Sequence, residues 1–182
     1  IATKAIHEKA MPGCQILIAR NGTVVYNKNF GSLNYNPSDS VKDNTVYDLA
    51  SITKVAATTL AVMHLYETKR LCLDSTIGYY LPELKGTNKE HLIVQEVLSH
   101  QAGLQAFLEH WKRTMVERLP NDYLYCNEQY CDFTIPVSSR IYANTFLPDS
   151  VCKWTIKSYL LPRKENNDCH SYVYSDIGFY IM

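Results

Sequence analysis

Apolar residues in this chain fall first into two short β-rich runs and then into helical spacings, and that switch outlines the fold. Gln15–Arg20 and Thr23–Phe30 flank Asn21-Gly22. An Asn-Gly pair between two such runs is the strongest short-range hairpin signal, because both turn residues tolerate positive φ. Ahead of it, residues 1–12 read as a helix with Ala5, Ile6 and Ala10 on one face, stopped by Pro12-Gly13. Gly31–Asn44 is polar and turn-rich and predicts a loop. Thr45–Ala50 is a short strand-like run. Beyond it Val55, Ala56, Ala57, Leu60, Ala61, Val62, Met63 and Leu65 are apolar nearly all round, the pattern of a buried helix, here to about Lys69.

Further on, Leu71–Glu83 predicts a short helix closed by Pro82. His91–His100 is a short amphipathic helix that Gly103 terminates. Residues 105–120 predict another helix. Asn121–Cys169 is rich in tyrosine and cysteine and broken by Pro136, Pro148 and Pro162. It reads as loops with short helices, an excursion over one face. Tyr174-Ser175-Asp176 then leads into an apolar run, and the polar pair marks a helix start. There are no internal repeats.

Composition narrows the function classes. The 182 residues are 46% apolar and 20% charged, enough for one domain with a real core or for two lobes. A formal net charge of +0 gives no electrostatic support to a nucleic-acid or anionic-membrane partner. No apolar run reaches membrane-span length. No signal peptide opens the chain, and Ile1 reads as the start of a cut or mature domain. The 6 cysteines lack a zinc-type pairing, and no metal or other cofactor is implied. Cys126, Cys131, Cys152 and Cys169 are compatible with one or two disulfides and equally with buried free thiols.

One stretch carries chemistry. Ser51 and Lys54 stand three apart at the start of the long helix, where i and i+3 side chains are neighbours, their Cβ atoms roughly 5–6 Å apart. A serine hydroxyl needs a nearby base, and a partly desolvated lysine with a depressed pKa is one. Backbone N–H groups at the helix start suit a developing oxyanion. About one S-x-x-K is expected by chance in a chain of this size, and Ser150–Lys153 is a second, in what reads as a turn or helix cap. Ser51 alone would also serve as an ordinary N-cap. Tyr174 is one of 14 tyrosines, and Tyr125, Tyr130 and Tyr142 share its Tyr-x-Asn/Asp spacing. Only Tyr174 leads directly into an amphipathic helix; Tyr142 is soon followed by Pro148, which leaves no room for a long one.

Taken in order, these motifs resemble the N-terminal portion of the serine β-lactamase and penicillin-binding-protein superfamily. The branch of class C-type β-lactamases, D-alanyl-D-alanine carboxypeptidases and esterases is the most similar. The Asn21-Gly22 hairpin, Ser51-Ile52-Thr53-Lys54, Leu73-Asp74 with Tyr80-Leu81-Pro82-Glu83, Leu98-Ser99-His100-Gln101-Ala102-Gly103-Leu104 and Tyr174-Ser175-Asp176 arrive in the family's order. The resemblance implies an α+β fold, β-lactamase/DD-peptidase-like. Residues 1–50 would give an N-terminal helix and sheet strands, with the hairpin packed on a buried helix. Residues 51–182 would give a largely helical lobe with an insertion at about 121–169.

It also implies a serine hydrolase in which an ester, amide or β-lactam carbonyl acylates Ser51. Lys54 would shuttle the proton, and Tyr174 would act as base and then acid. Asp176 would stand at a substrate-binding position where many members have asparagine, which favours esters or peptides over β-lactams. His100 and Gly103 would shape the loop. The implied setting is the periplasm or beyond, and some relatives are fused to other enzymes. The family's later Lys-Thr-Gly or His-x-Gly motif does not occur, so the later sheet strands are expected to be missing, the piece to be inactive or weak, and its exposed sheet edge to favour dimers. The alternative is a non-catalytic peptidoglycan-binding or scaffolding module that kept the fold.

Overall fold

The computed structural model describes residues 1–36, 38–163 and 170–182. The chain divides into two compact units, Ile1–Ala50 and Ser51–Met182.

In the first unit, helix α1 (Ala2–His7) precedes strands β1 (Gly13–Arg20) and β2 (Thr23–Gly31). The strands pair antiparallel from Gly13 opposite Gly31 to Arg20 opposite Thr23, with a bulge between Ile18 and Ala19. Asn21 at φ +51° and Gly22 at φ +77° form the turn that the Asn-Gly pair predicts. Helix α1 is shorter than expected, since Lys9 already turns to φ +56°. Thr45–Ala50 forms no strand. Asp48 takes the Ala50 N–H on its own carboxylate at 2.7 Å, a local turn that competes with sheet pairing.

In the second unit, a π-helical segment (Lys54–Thr59) runs into helix α2 (Leu60–Glu67). The all-round apolar pattern predicts burial here, and the structure differs: Val55, Leu60 and Met63 are 61%, 56% and 59% exposed, and Val62 is buried. Such a pattern needs cover on every side, and the described residues supply it on only part of the circumference. Helix α3 (Ile77–Tyr80) passes through a 3-10 turn at Pro82–Leu84 toward α4 (Val94–Leu98). The helix expected over 105–120 shrinks to α5 (His110–Arg113). Its remainder is a small hairpin, β3 (Met115–Val116) and β4 (Leu119–Pro120), turned by Glu117 and Arg118, both at positive φ.

The excursion expected after Asn121 holds a sheet instead of loops alone. Strands β5 (Tyr125–Cys126), β6 (Phe133–Ser138) and β7 (Ile141–Asn144) lie in the order β5-β7-β6. Pro136 is accommodated because β6 is an edge strand with irregular register. Helix α6 (Leu147–Ile156) follows, and Pro148 opens it rather than breaking it, since a first-turn N–H has no helical partner to lose. Ser150 therefore stands inside a helix, not in a turn. Cys14, Cys72, Cys126, Cys131 and Cys152 are unpaired thiols; Cys169 and the rest of 164–169 lie outside the described residues. Among the described residues no helix is long and apolar enough to cross a membrane.

The core that positions the last helix, α7 (Asp176–Ile181), is a cluster of Ile77, Leu84, Leu92, Val94, Val97, Ala102, Leu104 and Ile177. Gly178 permits the close approach of α7 to α4, because a Cβ there would lie 3.0 Å from Val97 Cγ1. A second cluster joins Leu124 and Ala143 to Leu147 of α6. Lys89 is fully buried, and burial pushes its amine down to about 8. Its Nζ donates to Ile156 O at 2.9 Å, Ser158 O at 2.6 Å and Asn88 Oδ1 at 3.1 Å. Lys89→Met would strand carbonyls at the end of α6 and is expected to cost about 1–3 kcal/mol. Urea unfolding monitored by tryptophan fluorescence measures this, and an unchanged midpoint would refute the structural role.

Candidate active site

Ser51 follows Ala50, whose φ of +43° lies in the left-handed region that a β-carbon disfavours. The chain then enters the π-helical segment, a geometry found mostly as single-turn bulges within α-helices and frequent at functional sites. Its wider turn is closed in part by Thr59 Oγ1, which donates to Lys54 O at 2.8 Å. Lys54 Nζ donates to Ser51 Oγ at 3.1 Å. The expected proximity of the two side chains is thus present.

From the far end of the sequence, α7 brings a carboxylate and a phenol to the same amine. Ser175 caps α7, its Oγ accepting from Gly178 N at 3.4 Å and donating to Gln105 O at 2.6 Å. Asp176 in the first turn places Oδ1 2.6 Å from Lys54 Nζ. Tyr174 precedes the cap, its ring centroid 5.2 Å from Lys54 Nζ, and the Phe179 ring lies 5.8 Å away on the helix. The Lys54 and Asp176 side chains are 15% and 32% exposed, so the pair is shielded but not sealed.

The electrostatics differ from the sequence expectation. Burial does act to lower the Lys54 pKa. The hydrogen-bonding contact with Asp176 outweighs it, aided by the Tyr174 side chain, and the amine is held above its ordinary value of 10.5. Lys54 is therefore an ammonium across the neutral range. From neutral pH up to 10.5 the pair's contribution to folding is present, and it is lost as pH rises through the raised folded value of Lys54.

All four residues singled out in the sequence, Ser51, Lys54, Tyr174 and Asp176, lie together in the second unit. The other Tyr-x-Asn/Asp tyrosines lie elsewhere, Tyr142 in β7 and Tyr125 in β5. Phe179, whose ring faces the amine, belongs to the motif that follows Tyr174 but has no role assigned from the sequence; its signal is its helical spacing from Asp176. A cavity of about 660 Å³ lined by Leu81, Ile135, Leu147, Val151 and Ile156 belongs to a different part of the unit, and none of the four lines it. Among the described residues no cluster of His, Cys, Asp and Glu could hold a metal ion.

Comparisons with known proteins place this geometry in context. The beta-lactamase family model matches residues 1–135, a stretch that includes Ser51 and Lys54 and stops short of Tyr174. The chain is 28% identical over 120 residues to esterase EstB of Burkholderia gladioli, covering 64% of this chain and 30% of that protein. It is 29% identical over 102 residues to a beta-lactamase of Providencia stuartii, covering 56% of this chain and 26% of that one. A class C beta-lactamase crystal structure shares the fold over 98% of this chain and 39% of its own, with TM-score 0.63 and 24% identity. The chain thus spans less than a third of the length of these two curated relatives.

Replacing Asp176 by asparagine removes the largest influence that raises the Lys54 pKa. Asp176→Asn is expected to lower it, read by NMR titration of the Lys54 ε-carbon. An unchanged value would contradict the pairing.

Proposed function

Because the chain belongs to the beta-lactamase family, we propose that it carries the nucleophile of a serine hydrolase, with Ser51 acylated by an ester, amide or β-lactam carbonyl. The observation that carries this reading is the convergence of Ser51, Asp176 and Tyr174 on the single amine of Lys54.

Ser51 Oγ bonds to the carbonyl carbon, and the carbonyl π electrons move to oxygen. The Ser51 backbone N–H is the proposed half of the oxyanion site. The serine proton moves through a relay. Lys54 passes a proton to the Tyr174 hydroxyl as that hydroxyl protonates the leaving group, and Lys54 takes the proton of Ser51. Each member hands on one proton as it takes one, so the ammonium that Asp176 favours is present before and after the step. Collapse of the oxyanion expels the leaving group and leaves the acyl ester on Ser51; water then releases the acid by the reverse relay.

Asp176 presents a carboxylate to Lys54 rather than an amide to substrate, which supports esters or peptides over β-lactams. The proposed setting is the periplasm or the cell exterior. The 182 residues alone are proposed to react slowly, so the test uses the protein at its full natural length. A fluorescent fluorophosphonate should label the wild type and leave Ser51→Ala unlabelled, with Lys54→Ala slower by on the order of a hundredfold. Equal labelling of wild type and Ser51→Ala would reject the assignment. Binding of peptidoglycan fragments without any labelling would favour a non-catalytic module.

We further propose that the chain associates through the hairpin. Leu17, Ile18, Val24 and Val25 are each more than half exposed, and among the described residues β1 and β2 pair only with each other. Size-exclusion chromatography at rising concentration should show larger species; a monomer at all concentrations that melts cooperatively would contradict this.

A further inference from the structure

The segment carrying Tyr174 and Asp176 is held by one loop. His100 O accepts from Val173 N at 2.9 Å, Gln101 O from His170 N at 3.2 Å and Ala106 O from Asp176 N at 2.7 Å. These are carbonyl contacts that any residue in the loop could supply. One bond is different. Ser175 N, in a buried residue, donates to the His100 side chain, at Nδ1, over 3.0 Å. Position 100 must therefore offer a side-chain acceptor, and it does so from φ +61°.

The same imidazole packs on the proton-carrying residue. Its centroid is 4.5 Å from that of Tyr174, 5.3 Å from Phe179 and 5.8 Å from Tyr172. An Nδ1 that accepts puts the ring proton on Nε2, so the bond requires the neutral form. The groups facing it are Lys54 from the π-helical segment, Asp176 from α7, and Tyr172 and Tyr174 from the lead into α7. Burial first and the Lys54 charge second hold His100 below its ordinary pKa, against an opposing pull from Asp176.

We propose that His100 is a positioning residue whose neutral ring anchors the Ser175 N–H and braces Tyr174, so that the phenol and the Asp176 carboxylate reach Lys54, and that a proton on His100 releases them. A protonated Nδ1 cannot accept. It leaves the Ser175 N–H unpaired in a buried position and sets a second cation beside Lys54. The consequence for rate rests on the hydrolase reading above; the anchor itself does not.

Two variants separate the parts. In His100→Asn, the amide oxygen stands where Nδ1 stood, asparagine tolerates the left-handed backbone, and the group does not titrate. In His100→Phe, the ring remains and the acceptor is lost. In ¹H–¹⁵N spectra, the wild-type Ser175 amide should shift in one transition below about pH 6.5 that coincides with the titration of His100. His100→Asn should lack that transition, and His100→Phe should be displaced at every pH. Fluorophosphonate labelling of Ser51 should slow at least about tenfold through the same transition in the wild type. In His100→Asn the acid limb should be lost, at a rate lowered by the missing ring that braces Tyr174, and His100→Phe should be slow throughout. A Ser175 amide indifferent to His100→Phe, or an acid limb that survives in His100→Asn, would overturn the proposal. Absence of labelling in every variant would sink the hydrolase reading, while the Ser175 amide would still decide the anchor.

Discussion

Three groups compete for one ammonium, and the rest of the second unit is arranged to let them. Lys54 meets a hydroxyl at 3.1 Å and a carboxylate at 2.6 Å, with a phenol ring beside it. Burial on its own acts to lower the pKa of the amine. Asp176 reverses that balance, and the amine is held above its usual range. In the hydrolase reading, Lys54 then works as a conduit that stays charged between turnovers, not as a resting neutral base. The carboxylate also ties two distant stretches of chain, so the charge that tunes the chemistry helps to hold the site together.

That arrangement depends on packing that is ordinary in itself. Helix α7 is only a turn and a half long and would not persist alone. It is fixed by Ile177 in the core, by the close approach at Gly178, and by the Ser175 side chain bridging its first turn and Gln105 O. Each places a backbone atom, and together they leave Asp176 little freedom in where its carboxylate falls. On the other side of the site, Lys54 opens the π-helical segment and its Nζ reaches back to Ser51 Oγ three residues earlier.

Much of this was legible because the signals were local. Asn21-Gly22 dictates its turn, Ser51 and Lys54 meet by spacing alone, and a Ser-Asp pair before an apolar run starts a helix. What failed to read was non-local. Val55, Leu60 and Met63 predict burial, but a pattern says only that cover is wanted, not whether it is present. The strand β6 hid behind Pro136, which an edge position tolerates. Pro148 read as a stop because its place in the first turn of α6 depends on where the preceding strand ends. The Lys54 pKa could not be judged from its own surroundings, since its controlling partner lies far away in sequence at Asp176. His100 looked like a loop residue for the same reason: its acceptor role becomes visible only when Ser175 folds against it.

The central claim is that Ser51, and not the similar Ser150 within α6, is the activated hydroxyl. Intact-mass and peptide-mapping mass spectrometry of the full-length protein after brief exposure to an activated ester tests it most directly. One adduct, on the peptide containing Ser51, is the predicted result; an adduct on the Ser150 peptide, or none at all, would contradict it.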